Sequence, residues 1–465
     1  MASTHIESPT LGNPPTGASK KGTWSFWCKR SALGGSRILN TSENSNNNFL
    51  FSFKSDDTLQ IYQIAGGSNV YQYRTNRQFK DVSGWYHFVL AIDTTLGTAG
   101  DRVKLYVNGV QETSFQTTTN NMPQNHSFHG LYGGIKQNIG RDVDHGSEFF
   151  DGVLSYFAFV DGTQELPTIF GETDSDTGEW KIKTSITPSS AWGTNGYLIL
   201  KDGNSLTDQS SNSNNFTSVA GTLTKTEDCP SNVFATINPL ANPNTSGLTL
   251  SNGNNTLATA SGGHDFSISN LGMFSGGGKF YCEVKVSSSA DFNMIGISDH
   301  YYQGSNQELS EDNYSYGYYS DSGAGSTGGV VRGNGSNILS SMPNYTAGDI
   351  IGIAVDLENH KLYFHKNGTY INSGDPTSGS TGTGAVSINN LNTTPNTDRR
   401  GQGAYFFGVG DWTTTSAGTY QCNFGNGYFG TTAVSSAGTN ASNNGIFEYN
   451  VPAGYTALST KGLNL

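Results

Sequence analysis

The chain has 465 residues, a formal net charge of −12 and 13% charged residues, whereas glycine alone occupies 60 positions. The negative charge argues against nucleic acid or an anionic membrane as partner, because both need clustered lysine and arginine. No apolar run is long enough to span a bilayer, and the polar amino terminus lacks the core of a signal peptide. The length exceeds the size at which one hydrophobic core stops growing, so two domains are expected.

The polarity of the chain comes from glycine, asparagine, serine and threonine rather than from charge. Such residues suit short strands joined by tight turns, because they accept positive φ or bond their own backbone. The 23 tyrosines and 25 phenylalanines supply bulk for a sandwich core. We therefore predict an all-β fold of two tandem antiparallel β-sandwiches joined by an irregular linker; the family blocks given below imply that these sandwiches are concanavalin-like jelly rolls. The predicted boundaries are an extension over 1–20, a sandwich over 21–200, a linker over 201–240 and a second sandwich over 241–465.

In the first half, polar and bulky apolar residues alternate with the period of a strand that buries one face. The strands predicted from this pattern cover residues 23–28, 49–53, 59–62, 85–92, 103–107 and 152–160. Asn108-Gly109 follows the fifth of them and is a strong hairpin signal. From about residue 172 to 239 the pattern weakens, and the polar stretch 205–215 indicates an exposed loop or linker.

Strand signals resume in the second half. They are interrupted by a long Gly/Ser/Thr/Asn-rich stretch over 375–400, which predicts a surface loop. The predicted strands cover residues 279–286, 294–297, 314–319, 350–355, 362–365 and 405–409. Here Asn367-Gly368 follows a strand much as Asn108-Gly109 does in the first half. This echo indicates one meander used twice, although chance similarity between unrelated hairpins is the alternative.

The four cysteines lie far apart without a CxxC spacing, and three of them, Cys28, Cys282 and Cys422, sit among apolar strand residues. Buried free thiols are therefore expected. Synthesis in a reducing cytoplasm follows from that expectation.

Five blocks of the first half, at residues 24–30, 84–89, 104–109, 139–141 and 150–154, carry a family signal through their order. Together they resemble a laminin-G or concanavalin-like lectin/glucanase domain. The resemblance implies a two-sheet sandwich. It also implies carbohydrate binding, and calcium at the sandwich rim.

Six blocks of the second half carry another signal, at residues 278–284, 295–298, 317–318, 348–356, 362–368 and 422–425. They resemble a SPRY domain, which is a related sandwich. SPRY domains in other settings bind short protein segments through their loops, so a peptide-binding adaptor is one alternative function.

The tandem order, the polar surface and the closing residues 451–455 resemble virion structural proteins of tailed bacteriophages from marine bacteria. This resemblance implies a structural or adhesive role on a virus particle and supplies no catalytic residues. It further implies other capsid or tail proteins as partners, a homo-oligomer, and a location in the virion after synthesis in the host cytoplasm.

Three aspartates near one predicted strand end form a candidate calcium site. Asp142 and Asp144 alternate, so both face one way, and Asp151 follows shortly after. Carboxylates are the hard oxygen ligands that Ca²⁺ prefers. The alternative is that these are turn-forming aspartates, which β-rich chains need in any case.

An aromatic set in the second half is the candidate ligand-binding face. Exposed rings stack on the apolar faces of sugars while neighbouring polar groups bond the hydroxyls. Because strand residues alternate, some of these rings must belong to the core. The candidates are Tyr301, Tyr302, Tyr314, Tyr316, Tyr318, Tyr319 and Trp412.

The acidic stretch 172–179 is the nearest match to the Glu-x-Asp-x-x-Glu spacing that glucanases carry on one strand. Thr177 stands where the third carboxylate belongs, and the surrounding residues indicate a turn. We therefore predict a solvated acidic loop and no enzymatic activity.

The leading hypothesis is a phage virion surface protein, either a capsid-decorating or head-fibre subunit or a tail-associated adhesin. Its lectin-like sandwiches would attach to host surface glycans or to the particle itself. A glucanase-like carbohydrate-active enzyme and a stand-alone lectin are the alternatives.

Overall fold

A computed structural model describes residues 4–12, 20–119, 122–144, 148–201, 203–241, 247–260, 263–274, 277–299, 308–320, 328–391, 403–413 and 415–464. The chain divides into two compact units, residues 1–225 and 226–465. The described residues contain strands and 3₁₀ turns, and none of their helices is long and apolar enough to cross a membrane. The prediction of an all-β chain is confirmed.

The first unit consists of an eight-stranded sheet, a six-stranded sheet and a separate hairpin, all antiparallel. Its 3₁₀ turns are Ala99–Asp101, His129–Leu131 and Pro167–Ile169. Its strands are β1 (His5–Glu7), β2 (Lys21–Arg30), β3 (Ser36–Asn44), β4 (Asn47–Phe53), β5 (Thr58–Ala65), β6 (Ser68–Gln78), β7 (Tyr86–Asp93), β8 (Val103–Val107), β9 (Val110–Glu112), β10 (Phe115–Thr119), β11 (Gln137–Ile139), β12 (Gly152–Asp161), β13 (Gly171–Thr173), β14 (Trp180–Ile182), β15 (Tyr197–Ile199) and β16 (Thr217–Ala220). The eight-stranded sheet has the order β10-β6-β5-β4-β3-β11-β1-β16. The six-stranded sheet has the order β15-β12-β2-β7-β8-β9.

The second unit is also built on two large sheets. Its 3₁₀ turns are Ile371–Ser373, Pro376–Thr381 and Gly462–Asn464. Its strands are β17 (Thr249–Ser251), β18 (Thr256–Ala258), β19 (Gly263–Ile268), β20 (Met273–Phe274), β21 (Lys279–Ser288), β22 (Asn293–Ser298), β23 (Ser315–Tyr319), β24 (Gly329–Gly333), β25 (Ser336–Met342), β26 (Ile350–Asp356), β27 (Lys361–Lys366), β28 (Thr369–Tyr370), β29 (Val386–Ser387), β30 (Ala404–Thr413), β31 (Thr419–Asn423), β32 (Tyr428–Phe429), β33 (Thr432–Ala433) and β34 (Thr456–Ala457). One sheet has the order β17-β18-β31-β21-β26-β27-β28, with β29 paired to β27 and β34 paired to β21. The other has the order β19-β30-β22-β23-β24-β25, with β20 paired to β30.

Aromatic side chains fill the space between the two sheets of the first unit. Phe26 stacks on Phe157 at 4.8 Å within one sheet and meets Phe51 of the facing sheet edge-on at 5.3 Å. The polar tips of this core converge on one amide, because Trp24 Nε1 and Tyr197 OH both donate to Gln137 Oε1, at 3.2 and 2.5 Å. Burying rings of this size supplies most of the favourable free energy of the sandwich.

A third layer covers the outer face of the six-stranded sheet, so β2 is buried on both faces rather than on the single face that its alternation predicts. Trp180 of the β13–β14 hairpin provides the central contact. Its Nε1 donates to Nδ1 of the buried His87 at 2.9 Å, and its ring lies against Gly109. A Cβ at Gly109, which has φ +78°, would lie 2.5 Å from that ring, so only glycine fits there.

The second unit repeats this arrangement with different residues. The ring of Tyr449 lies against Gly368, which has φ +82°, and meets the buried His365 edge-on at 5.3 Å. In both units the asparagine before the glycine closes the hairpin: Asn108 Oδ1 accepts from His87 N, and Asn367 Oδ1 accepts from Ile350 N, each at 2.8 Å. The structure thus gives the two Asn-Gly motifs the same local geometry.

A buried carboxylate fastens the covering segment of the second unit. Glu283 accepts hydrogen bonds from the backbone N–H groups of Glu448 and Tyr449, both at 2.8 Å, and from Tyr281 OH at 2.9 Å. Burial raises the pKa of Glu283 to about 7. The segment that ends the chain is therefore part of the second unit's fold.

The structural units differ from the predicted boundaries at two places. Strand β1 lies within the predicted extension yet pairs with β11, and β16 lies within the predicted linker yet pairs with β1. Short strands at a sheet edge carry little alternation, and their pairing depends on partners far away in the sequence.

Replacing Trp180 with alanine is expected to lower the free energy of unfolding by about 3 kcal/mol, because it opens a cavity over the sheet and leaves His87 Nδ1 without its donor. Urea unfolding followed by circular dichroism measures this. Leu166→Ala, at a side chain 61% exposed, is the control and should change little. An unchanged midpoint for W180A would contradict the anchoring role.

Acid is expected to destabilise the first unit through His87. Burial lowers the pKa of His87 from 6.5 to about 3, so between these values the unfolded chain binds more protons than the folded one. Stability therefore falls as pH decreases through that window, by about 3 kcal/mol between about pH 7 and about pH 4.

The measurement is urea unfolding at several pH values, followed by tryptophan fluorescence, since five of the six tryptophans lie in the first unit. H87Q should start less stable at pH 7 and lose less on acidification. His360→Gln, at a partly exposed turn of the second unit, is the control. Equal pH slopes for H87Q and the unchanged protein would contradict the prediction.

Candidate functional site

The outer face of the eight-stranded sheet differs in chemistry from the other outer faces of the large sheets. The other three carry apolar clusters, centred on Val89, Phe266 and Tyr281. On this sheet the inward residues are phenylalanine, leucine and isoleucine, whereas their outward neighbours are mostly polar. We call this surface the polar sheet face; it consists of Arg37, Asn40, Asn48, Leu50, Ser52, Gln60, Tyr62, Gln72, Arg74 and Asn138.

Strand register arranges these side chains in two parallel rows. The first row crosses β3 to β6 as Arg37, Ser52, Gln60 and Arg74. The second row crosses β11 to β6 as Asn138, Asn40, Leu50, Tyr62 and Gln72. Neighbouring strands lie about 4.8 Å apart, so the four strands from β3 to β6 span about 14 Å.

Several polar atoms on this face are buried but have no hydrogen-bond partner among the described residues. They are Asn48 Oδ1, Ser52 Oγ, Gln60 Oε1 and Asn138 Oδ1. Leaving a buried polar atom unpaired costs about 1 to 3 kcal/mol each. Unpartnered buried atoms also occur among the described residues of the cores and of the second unit, so these four do not by themselves mark a ligand site.

The rim of the face is formed by residues 141–144 and 148–150, which lie over Asn40 and Arg37. Val143 N donates to Asn40 Oδ1 at 3.4 Å, and Phe149 forms a backbone bridge with Arg37. This rim explains why Asn40 and Leu50 are fully buried while Tyr62, Gln72 and Arg74 are partly exposed. The two rows thus run from beneath the rim to the surface.

Two of the predicted calcium ligands belong to this rim, where a side-chain cation pairs with one of them and a hydroxyl donates to the other. Asp142 Oδ2 faces Arg37 Nε at 3.4 Å, and its Oδ1 accepts Asp144 N at 3.0 Å. Asp144 accepts a hydrogen bond from Ser42 Oγ at 2.5 Å. Arg37 also forms an ion pair with Glu148. The guanidinium of Arg37 therefore stands where the prediction places a calcium ion.

Asp151, the third predicted ligand, is exposed at the start of β12, and its backbone carbonyl accepts from Ser31 N. In the described part of the chain no three histidine, cysteine or acidic side chains come together as a metal site. This differs from the expected convergence of Asp142, Asp144 and Asp151. Residues 142–144 form a turn rather than a strand, so the predicted alternation of Asp142 and Asp144 does not occur, and Asp151 lies apart from both before β12.

Charges on the exposed end of the polar sheet face are paired as well. Arg74 Nη2 donates to Asp56 Oδ2 at 2.6 Å, and this bond holds the pKa of Asp56 down at about 2. Burial lowers the pKa of Lys54, and the Arg37 guanidinium lowers it further. Burial raises the pKa of the Tyr62 phenol, so this ring is uncharged.

The structure buries the described tyrosines of the predicted aromatic set. Tyr314, Tyr316 and Tyr318 pack in the core between the sheets, and Tyr319 packs in the cluster on the outer side. Each is at most 6% exposed, so these four rings fill cores and do not present an exposed stacking face as expected. Tyr301 and Tyr302 lie outside the described residues.

Trp412 is partly exposed at a strand end of the second unit. It meets Phe292 edge-on at 5.4 Å, and the Arg332 guanidinium lies 5.6 Å from its ring centroid. Arg332 in turn pairs with Glu308 at 2.8 Å. Within the predicted set, Trp412 is the described ring that keeps partial exposure.

The acidic stretch 172–179 forms the β13–β14 hairpin and its turn. Asp174 Oδ1 accepts Asp176 N and Thr177 N at 2.9 and 3.0 Å, and Lys181 pairs with the same carboxylate. These bonds lower the pKa of Asp174. The carboxylates therefore stabilise a turn that presents Trp180 to the sheet.

A serine–histidine contact under this hairpin lacks the geometry of a nucleophile and its base. His87 Nε2 lies 2.8 Å from Ser25 Oγ, but Nδ1 accepts the indole N–H of Trp180. A neutral imidazole with an acceptor at Nδ1 carries its proton on Nε2, so it donates to Ser25 and cannot take the serine proton.

Removing Arg37 is expected to destabilise the rim, because the buried Asp142 carboxylate then loses the cation that pairs with it. Arg37→Ala should lower the free energy of unfolding by about 3 to 5 kcal/mol. Adding Asp142→Asn should restore part of that loss, which urea unfolding of the single and double variants measures. No recovery in the double variant would contradict the pairing.

Comparisons with known proteins agree with the two-sandwich architecture. Residues 2–169 match the family model described as the concanavalin A-like lectin/glucanases superfamily, and residues 279–379 match the SPRY domain model. No curated protein sequence matches the chain.

Similar solved structures include a native heptameric SAP-like pentraxin from Limulus polyphemus, at 20% identity, covering 35% of this chain and 71% of that one, with a TM-score of 0.26. The SPRY domain of human HERC1 is 14% identical, with coverage of 40% and 96% and a TM-score of 0.28. Domain 4 of an extracellular arabinanase from Geobacillus stearothermophilus, in complex with arabinotriose, is 17% identical, with coverage of 31% and 63% and a TM-score of 0.24. The chain is thus similar to concanavalin A-like lectins and glucanases in its first part and to SPRY domains in its second.

Proposed function

We propose that this chain is a non-catalytic attachment protein of a bacteriophage virion that binds carbohydrate on the polar sheet face. The observation that carries the binding proposal is the partly exposed end of that face, where Tyr62, Gln72 and Arg74 lie on the neighbouring strands β5 and β6. The match of residues 2–169 to a lectin/glucanase family supports the same ligand class.

The chemistry of the face suits a sugar. Carbohydrate sites combine an apolar surface with a few polar groups that bond hydroxyls. Tyr62 supplies the apolar surface, and the polar side chains of Gln72 and Arg74 on the neighbouring strand β6 lie beside it. Because Tyr62 is partly exposed, its ring is available for stacking.

The absence of catalysis is part of the proposal. Glycoside hydrolysis needs two carboxyl groups placed on either side of the scissile bond. On the polar sheet face the carboxylates of Asp56 and Asp142 are engaged by Arg74 and Arg37. A group held in an ion pair cannot act readily as the proton donor of such a reaction.

The virion setting draws on the resemblance to tailed-phage structural proteins and on the polar, weakly charged composition. A particle-borne protein would present several copies, and multivalent display raises the avidity of individually weak glycan sites. Other capsid or tail proteins are the proposed partners.

Binding is tested on a glycan array with the full-length chain and three variants. Gln72→Ala and Tyr62→Ala should each weaken binding about tenfold, which corresponds to the loss of one hydrogen bond or one stacking contact. Gln111→Ala, at an exposed residue of the edge strand β9 in the other sheet, is the matched control and should bind normally. Equal binding by all variants would place the site elsewhere.

The enzymatic alternative is checked on the same glycans. Release of reducing ends that is lost on Glu172→Gln or Asp174→Asn would favour a glucanase. We expect no release above the buffer control.

The virion location is tested by mass spectrometry of purified, intact particles. We expect peptides from both units in the particle fraction. Their absence from intact particles, with the protein present in the lysate, would rule out the virion role and leave a stand-alone lectin.

A further inference from the structure

We infer that the exposed end of the polar sheet face binds an acidic polysaccharide, and that the ammonium group of Lys54 pairs with a carboxylate or sulfate group of one of its sugars. This inference rests on the proposed carbohydrate-binding function and names the ligand class of that site. It is carried by a cation that forms no ion pair within the described residues, by the two arginines near it, and by the uncharged side chains that continue the surface.

Lys54 is held at a fixed position at the exposed end of the face. It follows β4, two positions after Ser52, so the alternation of strand residues turns its side chain to the same side of the sheet. Its backbone N–H donates to Thr58 O, and its carbonyl oxygen accepts from Asp57 N, both at 2.9 Å. Lys54 is partly exposed, so a ligand in solution can reach it.

Lys54 is the exception to the pairing of charges at this end of the face. Glu148 is paired with Arg37, and Asp56 is paired with Arg74. Within the described residues no carboxylate forms an ion pair with the Lys54 ammonium. Burial lowers the pKa of Lys54, and both guanidiniums lower it further against the opposing effect of the two carboxylates. An anion placed against the ammonium would relieve its repulsion by these like charges.

Arg74 offers a second cationic donor at the same end. Its Nε donates to Thr58 Oγ1 at 2.9 Å and its Nη2 donates to Asp56 Oδ2 at 2.6 Å, so the guanidinium is fixed in place. Its Nη1 takes part in no hydrogen bond within the described residues, and the side chain is 25% exposed. A carboxylate or sulfate group has enough oxygens to accept from an ammonium and a guanidinium together.

The uncharged neighbours favour a sugar polymer over other anions. Gln72 and Arg74 lie two positions apart on β6, and Tyr62 is the cross-strand partner of Gln72. The partly exposed Tyr62 ring provides a stacking surface, and the Gln72 amide can bond hydroxyls. Tyr62 lies opposite Leu50, four positions before Lys54, so the ring and the ammonium are separated by about 13 Å along the strands. A polymer of several sugars can therefore meet both.

The net charge of −12 does not prevent such binding. At physiological salt, exposed charges more than about 8 Å apart are largely screened, so the groups close to the ligand decide. Glu148, the rim carboxylate that acts on Lys54, is already paired with Arg37. Raised salt should weaken the binding of an acidic polymer and leave that of an uncharged one unchanged.

The test measures binding of the full-length chain to alginate, which carries carboxylates, and to dextran sulfate, which carries sulfates. Uncharged dextran and mannan are the sugar controls, and polyphosphate is the polyanion without sugar. We expect alginate or dextran sulfate to bind at least about tenfold more tightly than any of the controls, and raised salt to weaken that binding.

Variants assign the binding to Lys54. Lys54→Gln should weaken it about tenfold, whereas Lys54→Arg, which keeps the charge, should retain most of it. Lys183→Gln removes the same charge just after β14, in the layer that covers the other sheet, and should leave binding unchanged. Because Lys54 forms no ion pair within the described residues, Lys54→Gln should keep the urea midpoint of the unchanged protein, so a loss of binding would not reflect misfolding.

A second readout follows Lys54 in the unchanged protein. Its acetylation by acetic anhydride, measured by mass spectrometry, should slow when the acidic polymer is bound, while that of Lys183 stays the same. Equal binding by Lys54→Gln, or binding of polyphosphate as tight as that of the acidic sugars, would overturn the inference.

The outcomes also separate this inference from the proposed function. Binding confined to the uncharged polymers, and weakened by Tyr62→Ala, would overturn the inference while leaving carbohydrate binding in place. Binding to no polymer, and to no glycan on the array, would overturn the carbohydrate-binding proposal and this inference with it.

Discussion

Both sandwiches depend on aromatic side chains that seal a second face of a sheet against a glycine. Trp180 covers Gly109, and Tyr449 covers Gly368; a Cβ at these glycines would lie 2.5 and 2.6 Å from the respective rings. Each aromatic ring also contacts a buried histidine, and burial lowers the pKa of both histidines, so they remain uncharged at neutral pH. The covering segments thereby bury strands that would otherwise expose an apolar outer face to water.

The polar sheet face differs from the outer faces that are covered in this way. The segments that cover the other three outer faces meet mostly apolar side chains, so most of the surface buried there needs no hydrogen bond. The rim over the polar sheet face instead buries amides and a hydroxyl, four atoms of which lack partners within the described residues. Unpartnered buried atoms of this kind also occur among the described residues of the cores and of the second unit. The polar sheet face is therefore distinguished from the other three outer faces by its polar chemistry and its partly exposed end.

Local patterns predicted the all-β class, most central strands and both Asn-Gly hairpins, because alternation and turn preferences depend on residues that are neighbours in the sequence. They did not predict which rings are buried. Tyr319 packs against the outer side of its sheet because Leu309 and Phe406 cover it, and these neighbours are set by tertiary pairing. The pairing of Asp142 with Arg37, 105 residues away, likewise cannot be predicted from the neighbours of either residue in the sequence. One available signal was missed: the outward positions 48, 52 and 60 are amides and a hydroxyl where solvent-facing strands often carry charge.

Hydrogen–deuterium exchange with and without a saturating oligosaccharide that the chain binds on the glycan array tests the central claim, the location of the site, most directly. The account predicts slower exchange in peptides from β3 to β6 and in the rim at 141–144 and 148–150, with the remainder of the first unit and the second unit unchanged. Protection confined to the second unit, around Trp412, or to the six-stranded sheet would contradict it.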